Sequence, residues 1–102
     1  MTNNAAVEII ISEYDINELY AIQEYGCNSE VAHKHAAYSD TTGFYNAYKN
    51  EIESFIEEHF GKEALIEASK STNGDLDAYK NRIAWTFIEG VAQSVFEERT
   101  IL

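Results

Sequence analysis

Residues 39–61 read SDTTGFYNAYKNEIESFIEEHFG, and this stretch decides the fold. Ser39, Asp40 and Thr41 can accept hydrogen bonds from the free amides that open a helix, and Gly61 is a natural stop. The spacing predicts a helix over roughly Thr41 to Phe60. Phe44, Tyr48, Ile52, Phe55, Ile56 and His59 recur at helical intervals and form one stripe, while Asn46, Asn50, Glu53 and Glu57 fall on the opposite side. The apolar stripe is read as a core face.

Downstream, Lys62 to Ser69 reads as a short helix carrying Leu65 and Ile66, and Ser71-Thr72-Asn73-Gly74 as a turn. Asp75 is placed to cap a long helix from Leu76 to about Glu98. Leu76, Tyr79, Ile83, Phe87, Val91 and Val95 line one side of it, and Ala84, Ile88, Ala92, Trp85 and Phe96 widen that side. So broad an apolar surface predicts a central helix packed by several neighbours. Gly90 inside it is unfavourable by roughly 1 kcal/mol against alanine, so a close helix approach is its expected reason.

Upstream, a helix from about Glu13 to Tyr25 is expected, with Ser12 and Asp15 as its capping residues and Gly26 as its stop. Ile16, Leu19, Tyr20 and Gln23 share a face. Residues 28–38 read as a shorter helix with Val31, His35 and Tyr38 near one side. Residues 5–12 stay open between two readings. Val7, Ile10, Ile11 and Tyr14 have helical spacing, yet Val7, Ile9 and Ile11 alternate like a strand.

The chain has 102 residues, of which 45% are hydrophobic and 13% aromatic, too apolar for a disordered acidic tail and sufficient for one core. It contains no proline, which favours long helices over many short strands. The expected fold is therefore all-α, a compact single-domain bundle of about four to five helices. Cys27 is the only cysteine, so no internal disulfide forms and no CxxC site exists. The first fifteen residues lack the basic region of a signal peptide, and their apolar run is too short for a membrane span. A cytoplasmic location is expected.

No catalytic constellation emerges. His33, His35 and His59 are the only histidines, and no two have the four-residue spacing that would converge on a metal from one helix face. Each reads as a core-margin or surface imidazole. Cys27 has no local motif of a nucleophile. The pairs Glu53 with Glu57 and Glu63 with Glu67 each share a helix side, but they lie on solvent faces rather than across a cleft. Phosphate-binding glycine loops, GxSxG elbows and HExxH motifs are absent from the sequence. The expectation is a protein that is not an enzyme and needs no cofactor or metal.

The net charge is −11, from 18 acidic and 7 basic residues, and it is regional. Residues 1–31 hold six acids, Glu8, Glu13, Asp15, Glu18, Glu24 and Glu30, and no base. Residues 51–67 hold another six, Glu51, Glu53, Glu57, Glu58, Glu63 and Glu67, against Lys62 alone. The remaining segments cancel. Such a field repels nucleic acid and anionic membrane and attracts basic surfaces. Carboxylates four residues apart on a helix are separated by about 6 Å of rise, comparable to phosphates along a strand. Acidic helices can thus imitate nucleic acid. The expected partner-binding residues are Glu13, Glu18, Glu24, Glu51, Glu53, Glu57, Glu58, Glu63 and Glu67.

The run from Tyr25, YGCNSEVAHKHAAYSDTTGFYNAYKNEIESFIEE, resembles a family of small, uncharacterised proteins encoded by phages, prophages and plasmids. The residues carrying the resemblance are Gly26, Cys27, Tyr38, Ser39, Asp40, Thr41, Phe44, Tyr45 and Tyr48, then Glu51 and Ile52. It covers about a third of the chain, with a looser likeness around Trp85. The resemblance implies no activity, cofactor or catalytic residue. It points to counter-defence proteins that bind CRISPR or restriction complexes where nucleic acid should lie. The expected function is then a non-catalytic inhibitor whose acidic surfaces engage a protein with a basic nucleic-acid-binding face, binding no nucleic acid or membrane itself. The alternative is a small structural or adaptor protein, homodimeric through the last helix, whose charge only confers solubility.

Overall fold

The chain is organised around its last helix, because that helix has the widest apolar surface and every other helix needs one to bury against. The computed structural model describes residues 4–25 and 40–101, the latter as backbone alone beyond residue 96. Among them are five helices and no strand: α1 (Ala5–Glu13), α2 (Ile16–Tyr25), α3 (Thr41–Phe60), α4 (Glu63–Ser71) and α5 (Leu76–Ile101). Each of the first four contacts α5, and the α3–α5 pairing is the most extensive. Ile83, Ala84, Phe87, Ile88, Val91 and Ala92 are buried, each large one contributing on the order of 2 kcal/mol of hydrophobic stabilisation. The all-α expectation holds. The short helix expected over residues 28–38, with Gly26, Cys27, His33 and His35, lies outside the described residues.

Residues 5–12 are helical, which decides between the two readings of that segment. Asn4 caps α1, its Oδ1 accepting from the amides of Ala6 at 3.0 Å and Val7 at 3.2 Å. Ala6 and Ile10, four residues apart, are buried. The helical stripe outweighs the alternation of β-branched residues because α1 packs on α3 and α5, which offer a surface to a stripe.

The cap of α2 also differs from the expectation. Ser12 lies in the last turn of α1, where its hydroxyl donates to the Ile9 carbonyl at 2.9 Å. Asp15 and Glu18 instead form a reciprocal capping box. Asp15 Oδ1 accepts from the Glu18 amide at 2.8 Å, and Glu18 Oε1 accepts from the Asp15 amide at 3.0 Å. The helix therefore starts at Ile16 rather than near Glu13.

α3 has the predicted bounds. Asp40 Oδ1 accepts from the Gly43 amide at 3.1 Å, and Gly61 ends the helix with φ 94° and ψ 155°, a conformation essentially restricted to glycine. The run is not straight: Tyr48, at φ −129° and ψ 32°, breaks the helical geometry and kinks the helix. α3 and α5 run in the same sense. Thr41 and Thr42 donate to Asn81 Oδ1 at one end, Phe44 and Phe55 both meet Phe87, and at the other end His59 lies beside Gln93 and Ser94. Gly90 has the close approach expected of it. A Cβ there would stand 2.8 Å from Cε2 of Phe60 and 3.0 Å from Cε1 of Phe55.

Candidate interaction surface

The nine carboxylates expected to bind a partner are not equivalent in the fold. Glu24, Glu57, Glu58, Glu63 and Glu67 are exposed, and Glu13, Glu18, Glu51 and Glu53 are half-buried. Four of the exposed ones follow one another around the corner from the end of α3 into α4, interrupted in charge only by Lys62. Among the described residues no hydrogen bond or ion pair engages these four carboxylates, and the like charges of Glu63 and Glu67, four residues apart, oppose helix formation by a few tenths of a kcal/mol. α1 and α3, drawn from the two acidic segments, adjoin directly. Asn4 Nδ2 donates to the Glu51 carbonyl at 2.7 Å, which sets the start of α1 against the middle of α3. α2 sits instead against α5.

Glu53 departs most from its expected role on the solvent face. Its side chain is only 21% exposed. Oε2 accepts from the Tyr45 hydroxyl at 2.6 Å and from the Tyr79 hydroxyl at 3.4 Å, while Lys49 Nζ lies 3.3 Å from Oε1. Tyr45 and Tyr79 also meet edge-on, with ring centroids 6.2 Å apart. Burial raises both phenols above their ordinary pKa, and the Glu53 carboxylate adds to the effect through hydrogen bonding and charge. This cluster ties α3 to α5, and the Tyr45 bond bridges the kink at Tyr48. Position explains the miss: Glu53 lies at the border of the apolar stripe, and a reading that divides a helix into inside and outside has no place for a border. Its phenol partners come from eight residues back and twenty-six ahead.

Glu13 is likewise not a free surface charge. Its Oε1 is enclosed with no hydrogen-bond partner among the described residues, and its charge helps to raise the pKa of buried Tyr14, after burial itself and ahead of Glu18. Glu18 is engaged in the capping box of α2. The surface available to a partner is therefore narrower than the sequence implies.

His59 occupies a core margin, as expected. Its ring stacks on Phe55 with centroids 5.3 Å apart and meets Phe60 edge-on at 4.5 Å. Nε2 lies 3.4 Å from Gln93 Oε1 and Nδ1 lies 3.3 Å from Ser94 Oγ. Among the described residues no three His, Cys, Asp or Glu side chains come together in a way that could hold a metal ion. A cleft of about 210 Å³ opens between the α4–α5 turn and Tyr79, lined by Ser69, Thr72, Gly74, Asp75, Leu76 and Tyr79. It is below the usual size of a small-molecule site, and its one carboxylate, Asp75, accepts from the Ala78 amide at 3.1 Å as the cap of α5. No described helix is long and apolar enough to cross a membrane.

No curated protein and no solved structure matches the chain. A family model does, over residues 1–101, and the chain accordingly belongs to the family described as a domain of unknown function, DUF7222.

Proposed function

We propose that this chain is a non-catalytic binding protein that engages a basic, nucleic-acid-handling surface of a host complex, as a mobile-element inhibitor of a CRISPR or restriction system would. The observation that carries the reading is the run of exposed carboxylates Glu57, Glu58, Glu63 and Glu67 around the α3–α4 corner. Its field would attract Lys- and Arg-lined grooves, speed encounter with them, and exclude a nucleic-acid ligand by occupancy.

The test reverses Glu57, Glu58 and Glu63 to lysine together, leaving Glu53 in place because it joins α3 to α5. Cleavage of duplex DNA by a CRISPR or restriction nuclease is followed with and without the chain, and complex formation by gel filtration. The native chain should protect the DNA and co-elute with the nuclease, more weakly as salt rises from about 50 to 300 mM. The triple variant, still helical by circular dichroism, should do neither. Inhibition that survives the reversal refutes the proposal, and a stable, salt-indifferent dimer with no effect on the nuclease would favour the adaptor alternative.

A further inference from the structure

Among the described residues, one side of α2 contributes nothing to the buried core. Leu19 and Ile22 are buried, and a separate, exposed stripe presents Ile16, Tyr20 and Glu24, each one turn beyond the last. Tyr20 is 51% exposed and Tyr25, at the helix end, 66%. Ile11 on α1 is exposed as well. Four of the large exposed apolar side chains thus fall within residues 11–25, a concentration that isolated surface hydrophobics do not show. Tyr20 is also held in place. Its ring meets Phe96 of α5 edge-on at 5.6 Å. A half-exposed aromatic fixed in this way loses little rotamer freedom on binding.

Charge limits what can cover this face. Residues 4–25 carry Glu8, Glu13, Asp15, Glu18 and Glu24 and neither lysine nor arginine. Nucleic acid and anionic membrane are repelled. A second copy of the chain would set the same acids against one another, which opposes association. The occupant that satisfies both the apolar groups and their acidic rim is a helix with aliphatic residues on one side and Lys or Arg flanking them.

We propose that the Ile16–Tyr20–Glu24 face of α2 docks a basic amphipathic helix of a protein partner. Aliphatic side chains of that helix cover Ile16 and Tyr20, and its cations meet Glu24. The proposal rests on the functional reading's premise of a basic partner, and adds that the contact is apolar as well as electrostatic and lies on α2 as well as the α3–α4 corner.

Two labelled peptides of about five helical turns test it. One places Leu and Lys at helical spacing, and the other has the same charge with Ser in place of Leu. Fluorescence anisotropy is read for the native chain, Ile16→Ser, Ile16→Ser/Tyr20→Ser, and the triple reversal of Glu57, Glu58 and Glu63. The native chain should bind the Leu/Lys peptide at least about tenfold more tightly than the Ser/Lys peptide. The double variant should lose that preference, and Ile16→Ser alone, which leaves the Tyr20–Phe96 contact intact, should lose part of it. The triple reversal should weaken both peptides and keep the preference. Equal binding of the two peptides, or an undiminished preference in both α2 variants, overturns the inference and leaves the nuclease test of the functional reading standing. No binding of either peptide overturns it too, as does self-association of the native chain that the α2 variants abolish.

Discussion

Replacing Gly90 with alanine pits two effects of known sign against each other. In a helix interior, alanine is favoured over glycine by about 0.5–1 kcal/mol through reduced backbone entropy loss. Against this, the new methyl would stand 2.8 Å from Phe60 and 3.0 Å from Phe55, where carbon atoms are at ease near 3.5–4.0 Å. Phe60 is 41% exposed and can swing outward. Phe55 cannot, because it is buried, stacked on His59 and edge-on to Phe87 with ring centroids 5.2 Å apart. Overpacking of this kind costs about 1–3 kcal/mol, so Gly90→Ala should destabilise by roughly 1 kcal/mol net, or about 5 °C in Tm for a domain of this length. Urea and thermal denaturation followed by circular dichroism at 222 nm measure it. Phe60→Leu removes the nearer ring, and in that background the penalty should shrink, with a coupling of at least about 0.5 kcal/mol in the double-mutant cycle. A Gly90→Ala variant as stable as the native chain, or strict additivity with Phe60→Leu, would refute close ring packing as the reason for the glycine.

Three further outcomes are expected. Tyr45→Phe removes the shorter phenol bond to Glu53. Because that carboxylate retains Lys49 and some access to water, the loss should be about 1 kcal/mol in urea unfolding, with Tyr79→Phe costing less; no change in either would show the cluster to be energetically idle. Gly61→Ala has open space around the new methyl, so its whole effect is backbone strain at φ 94°, about 1–3 kcal/mol; an unaltered denaturation midpoint would contradict the assigned conformation. Burial raises the phenols of Tyr14, Tyr45 and Tyr79, assisted by nearby carboxylates, so the folded chain keeps phenolic protons that the unfolded chain loses. Their stabilisation is complete below the unfolded pKa near 10 and declines above it, so the urea midpoint should fall from about pH 10 upward; a midpoint level to about pH 11.5 would refute this.

The long helices were legible because their signals are local and redundant. α3 has a cap, a stripe and a stop in one run, and α5 carries apolar residues on so many sides that its central position follows. Gly90, a rule broken within a strong helix, correctly marked a close approach. Residues 5–12 were not decidable alone, since alternation and helical spacing coexist there and only the surface supplied by α3 and α5 selects between them. The kink at Tyr48 has no local marker, as the chain lacks proline. What distinguishes that point is tertiary: α3 is tied to Asn81 on one side of it and through Glu53 to Tyr79 on the other. The acidic surface was legible as composition but not as exposure. Glu13, Glu18 and Glu53 resemble Glu57 and Glu58 in sequence, and differ only in the amides, phenols and apolar groups that surround them.

The placement of α5 at the centre has a consequence for the order in which the chain can be made. α1 to α4 all precede α5, and each depends on it for part of its buried face. A chain emerging from the ribosome therefore exposes Ile10, Ile22, Ile52 and Ile56 with no complete core to enter until residues 83–92 have followed. Folding waits for the end of translation of this domain, and a fragment ending at the turn before Leu76 would remain an acidic, partly helical coil. The dense negative charge would meanwhile keep such unfinished chains apart.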